Sequence, residues 1–524
     1  MVRGRNLPID TQASAIEMAE TIFGDGVTVV SATYTGDAIS SGIYSSGDRL
    51  SAGVTPSDVG VILSTGDATD FTSNNRWQSN LNSNTSSNTN GVNGDPLFNA
   101  AAGTQTYDAS YIEVDFIPTG DVMTMQFVFS SEEYPEYETA VYQDFVGVWV
   151  NGQQVEMTIG DGDADPNNLN STSNQNLYVD NTGDQYNTEM DGFTVTMTLT
   201  MNVNPGEVNT IRIGIADVVD SNYDSNLLIA ADSVQTSVVA ITDTANVVPE
   251  GTVVIDVLSN DINQTPGTLT ITQINGQNVS AGDSVTLATG QTVTLNADGT
   301  LTFNADADEE IVNFTYAVES DSGITDTAFV TVNQVPCFVA GTMIETIDGP
   351  RLVEDLKVGD LVLTQDNGFQ PMRWVGSRTV EAKGDMAPIE IARNTFGIHE
   401  RLQISPLHRL LVREFHAELM FGDAEVLIAA KYLVNDDTIR RVEGKSVTYF
   451  HLMFDAHEIV FSNGLASESF LPGPMFSDIF EQETLDEICQ IFPELDPQTG
   501  AGYSEPARRI LRAYEAQVLG QVAA

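Results

Sequence analysis

Residues 334–349 read QVPCFVAGTMIETIDG. They place Cys337, one of only two cysteines in 524 residues, between a β-rich region and a Gly341-Thr342 turn. A lone cysteine in such a chain ordinarily packs as a small hydrophobe. Its surroundings decide whether this one does chemistry.

Composition divides at the same point. Residues 1–336 carry 5 Lys+Arg against 45 Asp+Glu, and residues 337–524 carry 16 against 29, within a net charge of −53. Every lysine and all five histidines follow Cys337. So acidic a front repels phosphate backbones, which argues against a nucleic-acid partner. It suits a hydrophilic extracellular protein or a binder of divalent cations. Two cysteines form no disulfide framework. No apolar run approaches the ~18 residues of a membrane span. The N-terminus MVRGRNLPIDTQASAIEMAE has basic residues without an apolar core behind them, unlike a secretory signal peptide. The expected localisation is extracellular or cell surface, through a type I secretion signal in the tail.

Residues 12–24 have the spacing of a short amphipathic helix. From there to about 335, β-branched and aromatic runs alternate between Gly, Pro, Asn and Asp turns, as in YIEVDFIP, MTMQFVFSS and TIRIGIADV. VNGQQV carries an Asn-Gly hairpin signal. This pattern predicts β-sandwiches. Residues 73–95, poor in apolar side chains, read as a long surface loop. A boundary near 240 opens a second sandwich, and a third β-rich unit runs from 337 to about 472. The tail turns to helical spacing, with Ser504 and Pro506 as a helix start. The expected fold class is mainly β: sandwiches at 1–240 and 241–335, an all-β unit at 337–475, and a short helical tail at 476–524.

The front resembles the choice-of-anchor L family through ATYTGDAISSGIYSSG, GVILSTGDA, FVFSSEEYPEY, DFVGVWVNG and IADVVDSNYDS. That likeness implies an extracellular β-sandwich found beside varied sorting or anchoring modules. The middle unit is similar to bacterial cadherin-like or Ig-like repeats through VIDVLSNDIN and FTYAVESDSGITDTAFVTV. The back unit resembles Hint domains, the self-processing module of Hedgehog proteins and inteins. Its opening block starts at CFVAGTMIETIDG, and LQISPLHRLLV and YFHLMFDAHEIVFSNGLASESF match the later blocks.

The Hint resemblance implies that Cys337 is the nucleophile. A thiol is intrinsically reactive even when mostly protonated. It would attack the carbonyl of Pro336 and turn the Pro336–Cys337 peptide bond into a thioester. His408, in SPLH, matches the histidine that polarises this bond. Ser405 stands where inteins commonly carry Thr. His451 replaces a common Asp, and His457 matches the next histidine of the same block. Either titrates near neutral pH and can shuttle a proton. His399, His416 and Cys489 match nothing and read as framework or surface residues. The terminal His-Asn pair of splicing is replaced by Glu468-Ser469, so splicing is not expected. Water, a thiol or an amine would resolve the thioester. The ring of Pro336 restricts geometry at the attacked carbonyl, which favours a slow or idle domain.

No cofactor is expected for the Hint unit. In the front, IGDGDADPNNLN sets Asp161, Asp163 and Asp165 at alternate turn positions, a pattern able to offer oxygens to Ca²⁺. Asp217, Asp220 and Asp224, with Glu132 and Glu133, add further acidic clusters. The leading expectation is a surface protein whose Hint unit cleaves itself. The alternative is a calcium-binding adhesion or matrix protein with an idle Hint unit and a cell-surface or matrix partner.

Overall fold

The structure, a computed structural model, describes residues 2–75, 77–80, 85–138, 141–160, 162–247, 252–305, 311–334, 338–380, 382, 387–406, 408–413, 417, 423–435, 437–471, 503–504 and 506–511. Among them no helix is long and apolar enough to cross a membrane.

The front is two antiparallel sheets. One has the order β1 (Val27–Thr35), β4 (Thr106–Pro118), β7 (Asn209–Val218), β6 (Phe145–Val150), then Gln153–Gln154. The other runs Ile9–Asp10, β2 (Ser41–Ser45), β3 (Val59–Ser64), β8 (Ser225–Ala230), β5 (Val122–Ser131), Gly192–Thr194 and Tyr178–Asp180, with Met197–Asn202 also on β5. Alternation along the strands sends Ile112, Val114, Ile211 and Ile213 against Phe127, Phe129, Leu227 and Ile229 in one core. In β5 the intervening Val128 is also buried, under Tyr44, Ile62 and Phe193, so this sheet is covered on both faces. That explains its continuous apolar run. The expected N-terminal helix spans Ala15–Ile22 with Ser14 and Glu17 in a capping box, and its buried Met18, Ala19 and Ile22 join the core.

The stretch expected as a surface loop is pinned where it is described. Ser87 donates from its backbone and hydroxyl to Asp224, both at 2.7 Å, and Asn90 holds Asp37 at 2.9 Å. Ser79 is fully buried. Several of its polar residues serve carboxylates, while Asn74, Trp77, Ser86, Asn88 and Asn90 stay exposed as a surface loop would have them.

In the middle, β9 (Ile311–Ser320) and β10 (Thr325–Gln334) lie in a five-stranded sheet, accompanied by a four-stranded one. The latter's strands alternate buried and less buried residues, as a face-to-face sandwich requires.

The back unit has a six-stranded sheet in the order β12 (Trp374–Val380), β16 (Val447–Met453), β11 (Phe338–Val339), β13 (Leu402–Ile404), Ile389–Ile391 and Ile439–Arg441. A nine-stranded sheet contains β17 (Ile459–Ser462), β18 (Leu465–Glu468), β14 (Arg409–Arg413), β15 (Glu425–Ala429) and β19 (Arg509–Ile510), adjacent in that order. Phe338, Ile344, Ile404, Leu410, Leu452 and Val460 share its core. The tail helix expected to start at Ser504 is not formed there. Arg509–Ile510 pairs in parallel with β15, and Ser504 spends its hydroxyl on the backbone N–H of His457 at 2.6 Å. An open sheet edge outcompetes the local helix preference. Residues 472–500 and 512–524, where the remaining helical pattern and the export signal were expected, lie outside the described residues.

Candidate functional site

Strand β11 is short but central. Phe338 pairs with Ile404 on one side and Phe450 on the other, and Val339 pairs with Tyr449. One step further along each antiparallel ladder stand Ser405 and His451, on the side from which the chain enters β11. Both are buried. Pro336 and Cys337 lie outside the described residues, as do His416, Cys489 and Asp161.

A tight turn after β13 brings His408 back to the same place, its N–H donating to Ser405 O at 3.1 Å. Its carbonyl is held by Ala430 N at 3.0 Å, so the backbone of this histidine is fixed from both sides. The imidazole packs against Phe338 with ring centroids 4.3 Å apart at 61°. It is 2 % exposed, and among the described residues neither ring nitrogen has a hydrogen-bond partner. Burial pushes its pKa down to about 4, with Arg409 and His457 adding to the shift and Glu468 opposing it. The ring is therefore neutral at pH 7, with one N–H donor and one open lone pair.

Behind it lies an ion pair absent from the sequence reading. Glu468 Oε1 accepts from Arg409 N at 2.9 Å and Oε2 from Arg409 Nη1 at 3.0 Å. Glu468 is 1 % exposed. Burial alone would raise its pKa, but Arg409 and His457 hold the carboxyl down at about 2. Ala507 N donates to His457 Nδ1 at 3.0 Å, which leaves the proton of a neutral ring on Nε2. That Nε2 stands 3.4 Å from Glu468 Oε2 without a directed hydrogen bond, so the contact becomes an ion pair only when His457 is protonated. In the sequence Glu468 stood out only as the residue replacing a splicing dyad. The ring of His451 packs against Phe470 with centroids 5.4 Å apart. His399 is a framework residue: Nδ1 meets Glu400 O at 2.6 Å and Nε2 accepts from Phe396 N at 3.2 Å.

In the front, Asp165 is buried and caps Asn168 N at 2.8 Å, and Asp163 lies in the same turn region. Asp220 accepts from Asn222 N at 2.9 Å, and Asp224 is committed to Ser87. Among the described residues no three His, Cys, Asp or Glu side chains form a ready-made metal centre.

The family model for the Hint domain matches residues 336–474, that for the Choice-of-anchor L domain residues 8–235, and that for the bacterial Ig domain residues 235–333. No curated protein matches the chain. Similar solved structures include the gp41-1 intein, 13% identical over 26% of this chain and 98% of that one, TM-score 0.17. The MchDnaB-1 intein is 14% identical over 25% of this chain and 99% of its own, TM-score 0.18. The chain thus carries, in order, a Choice-of-anchor L domain, a bacterial Ig domain and a Hint domain.

Proposed function

We propose that the Hint domain cleaves its own chain at Pro336–Cys337 in a single turnover, through a thioester on Cys337 and without splicing. The observation that supports this most is the neutral imidazole of His408 packed on Phe338, the residue next to the proposed nucleophile, with no hydrogen-bond partner among the described residues. Ser405 and His451 stand beside the same strand entry.

The step balances as a transfer within the site. The thiol sulfur bonds to the Pro336 carbonyl carbon, and the C–N bond to Cys337 breaks. The thiol proton ends on the departing amine. A neutral imidazole with one donor and one acceptor can relay that proton; such transfer contributes roughly 10²–10⁴-fold. Water, a thiol or an amine then attacks the thioester, releases residues 1–336 and returns the Cys337 thiol. Glu468 and Arg409 act as positioning residues, holding charge behind the histidines. The Choice-of-anchor L and bacterial Ig modules support a surface or extracellular setting for the released part.

The test is intact-mass analysis of the full chain with and without a strong external thiol. Two fragments, 1–336 and 337–524, are expected, and Cys337→Ala should abolish them. If the wild type and Pro336→Gly both stay intact for days, self-cleavage fails and the Hint domain is an idle module in a surface protein.

A further inference from the structure

Three acidic residues stand near the ends of β5, β6 and β7. Glu133 lies two residues past β5, Asp144 directly precedes β6, and Asp217 is on β7. They are 2 %, 1 % and 4 % exposed. Asp144 N donates to Glu133 Oε2 at 3.1 Å, which ties the first two together. Asp144 Oδ1 accepts from Val218 N at 3.1 Å and Oδ2 from Ser225 Oγ at 2.8 Å. The Asp144 and Asp217 carboxyls lie within hydrogen-bonding reach of each other, although neither has a proton to give when ionised. The Asp217 side chain is hydrogen-bonded to Thr65, but its Oδ1 has no partner among the described residues.

Two buried carboxylates held side by side repel, and each lacks the water that would solvate it. Ion pairing is the ordinary remedy, yet residues 1–336 contain only Arg3, Arg5, Arg49, Arg76 and Arg212 as basic side chains. Arg212 is spent on Asp95 and Glu113. The charges acting most strongly on Glu133, Asp144 and Asp217 are one another and Asp108, Asp165 and Asp220, all acidic. Neutral oxygens surround the pair instead. Ser225 Oγ bridges Asp144 and Ser131 Oγ at 2.8 Å each, and Thr65 Oγ1 accepts from Ser225 N beside Asp217. Carboxylates mixed with hydroxyl oxygens are what a hard divalent cation selects.

We propose that Asp144 and Asp217, with Glu133 beside them, hold a divalent cation of the calcium class at this end of the front sandwich. The ion rests on the Asp144–Asp217 pair completed by neutral oxygens, since three acids are not gathered into a ready-made centre. The site is distinct from the turn at 161–165. Burial otherwise raises the pKa of all three groups, so the ion takes the place of protons, and it ties together chain segments up to 84 residues apart in sequence, Glu133 to Asp217.

The experiment uses the full-length Cys337→Ala chain, stripped with chelator at pH 7.5 and titrated with CaCl₂ by calorimetry, with thermal unfolding in parallel. Saturable binding and a calcium-dependent rise in the front's melting temperature are expected. The near-isosteric Asp144→Asn/Asp217→Asn chain should lose both, and Glu133→Gln should weaken the affinity. The proposal is overturned if stripped wild type neither binds calcium nor changes its melting temperature. It is equally overturned if the Asn pair binds with wild-type affinity. Should the Asn pair fail to fold, Glu133→Gln and the wild-type titration decide.

Discussion

The imidazole of His408 lies edge-on against the ring of Phe338, centroids 4.3 Å apart, with no hydrogen bond to either nitrogen among the described residues. An apolar wall on a histidine keeps it neutral and free to exchange a proton with whatever is brought beside it. His408→Ala should slow thiol-induced cleavage by roughly two to four orders of magnitude. Phe338→Ala, which leaves the histidine but removes its wall, should cost on the order of 10–100-fold through misplacement. Because the ring protonates only near pH 4, the rate should rise toward alkaline pH with the thiolate and show no inflection between pH 5 and 7. An inflection near 6.5 would assign the proton relay to a different histidine.

Glu468 and Arg409 carry a buried charge pair 59 residues apart in sequence. Removing one member of such a pair leaves the other uncompensated and typically costs about 3–5 kcal/mol. Arg409 retains some access to water, with 26% of its side chain exposed, so Glu468→Ala should sit at the low end, near ~3 kcal/mol. Hydrogen exchange of the full chain should show lost protection in β14 and β18 and none in the front. Glu468→Gln should recover part of it by keeping the bond from Arg409 N.

The two halves should respond oppositely to acid. His408 has a folded pKa of about 4 against 6.5 unfolded, so the unfolded state binds more protons and Hint stability falls as pH drops from 6.5 toward 4. In the front, burial and Asp191 raise Glu132 to about 9. Its folded state binds more protons, and in chelator its stability should rise as pH falls from 9 toward 4.5. Each group contributes a slope of about 1.4 kcal/mol per pH unit inside its window. Trp149 and Trp374 are buried in the front and in the Hint domain respectively, so single-tryptophan variants followed in urea separate the two slopes. Parallel slopes would contradict the burial assigned to these groups.

The described tail segment is part of the Hint unit. Ala507 N fixes the tautomer of His457, Arg508 pairs with Asp366 and Glu425, and Tyr503 OH donates to Phe454 O at 2.7 Å. Truncation after residue 502 should lower the melting temperature of the Hint transition. It should also slow cleavage more than Arg508→Ala, which breaks the ion pairs but leaves the His457 contact. Equal effects would show that the tail only stabilises the domain.

Local pattern made much of this molecule legible. Strand alternation, turn residues and contiguous blocks such as SPLH are set within a few residues, so the sequence by itself determined the three β modules, their order, and Cys337 and His408 as the pair to test. Ser405 and His451 were legible as block residues, but their meeting beside one strand came from the register of β11 with two distant partners. Only the tertiary structure brought Glu468 to Arg409 and His457, drew residues 87–90 onto Asp224 and Asp37, and turned Arg509–Ile510 into a strand. The same holds for the meeting of Asp144 with Asp217, which local pattern placed only in an acidic cluster with Asp220 and Asp224. Their partners lie tens to more than a hundred residues away. What fixes each contact is which chain segments the sheets bring together and how completely they exclude water, and no short window of sequence records either.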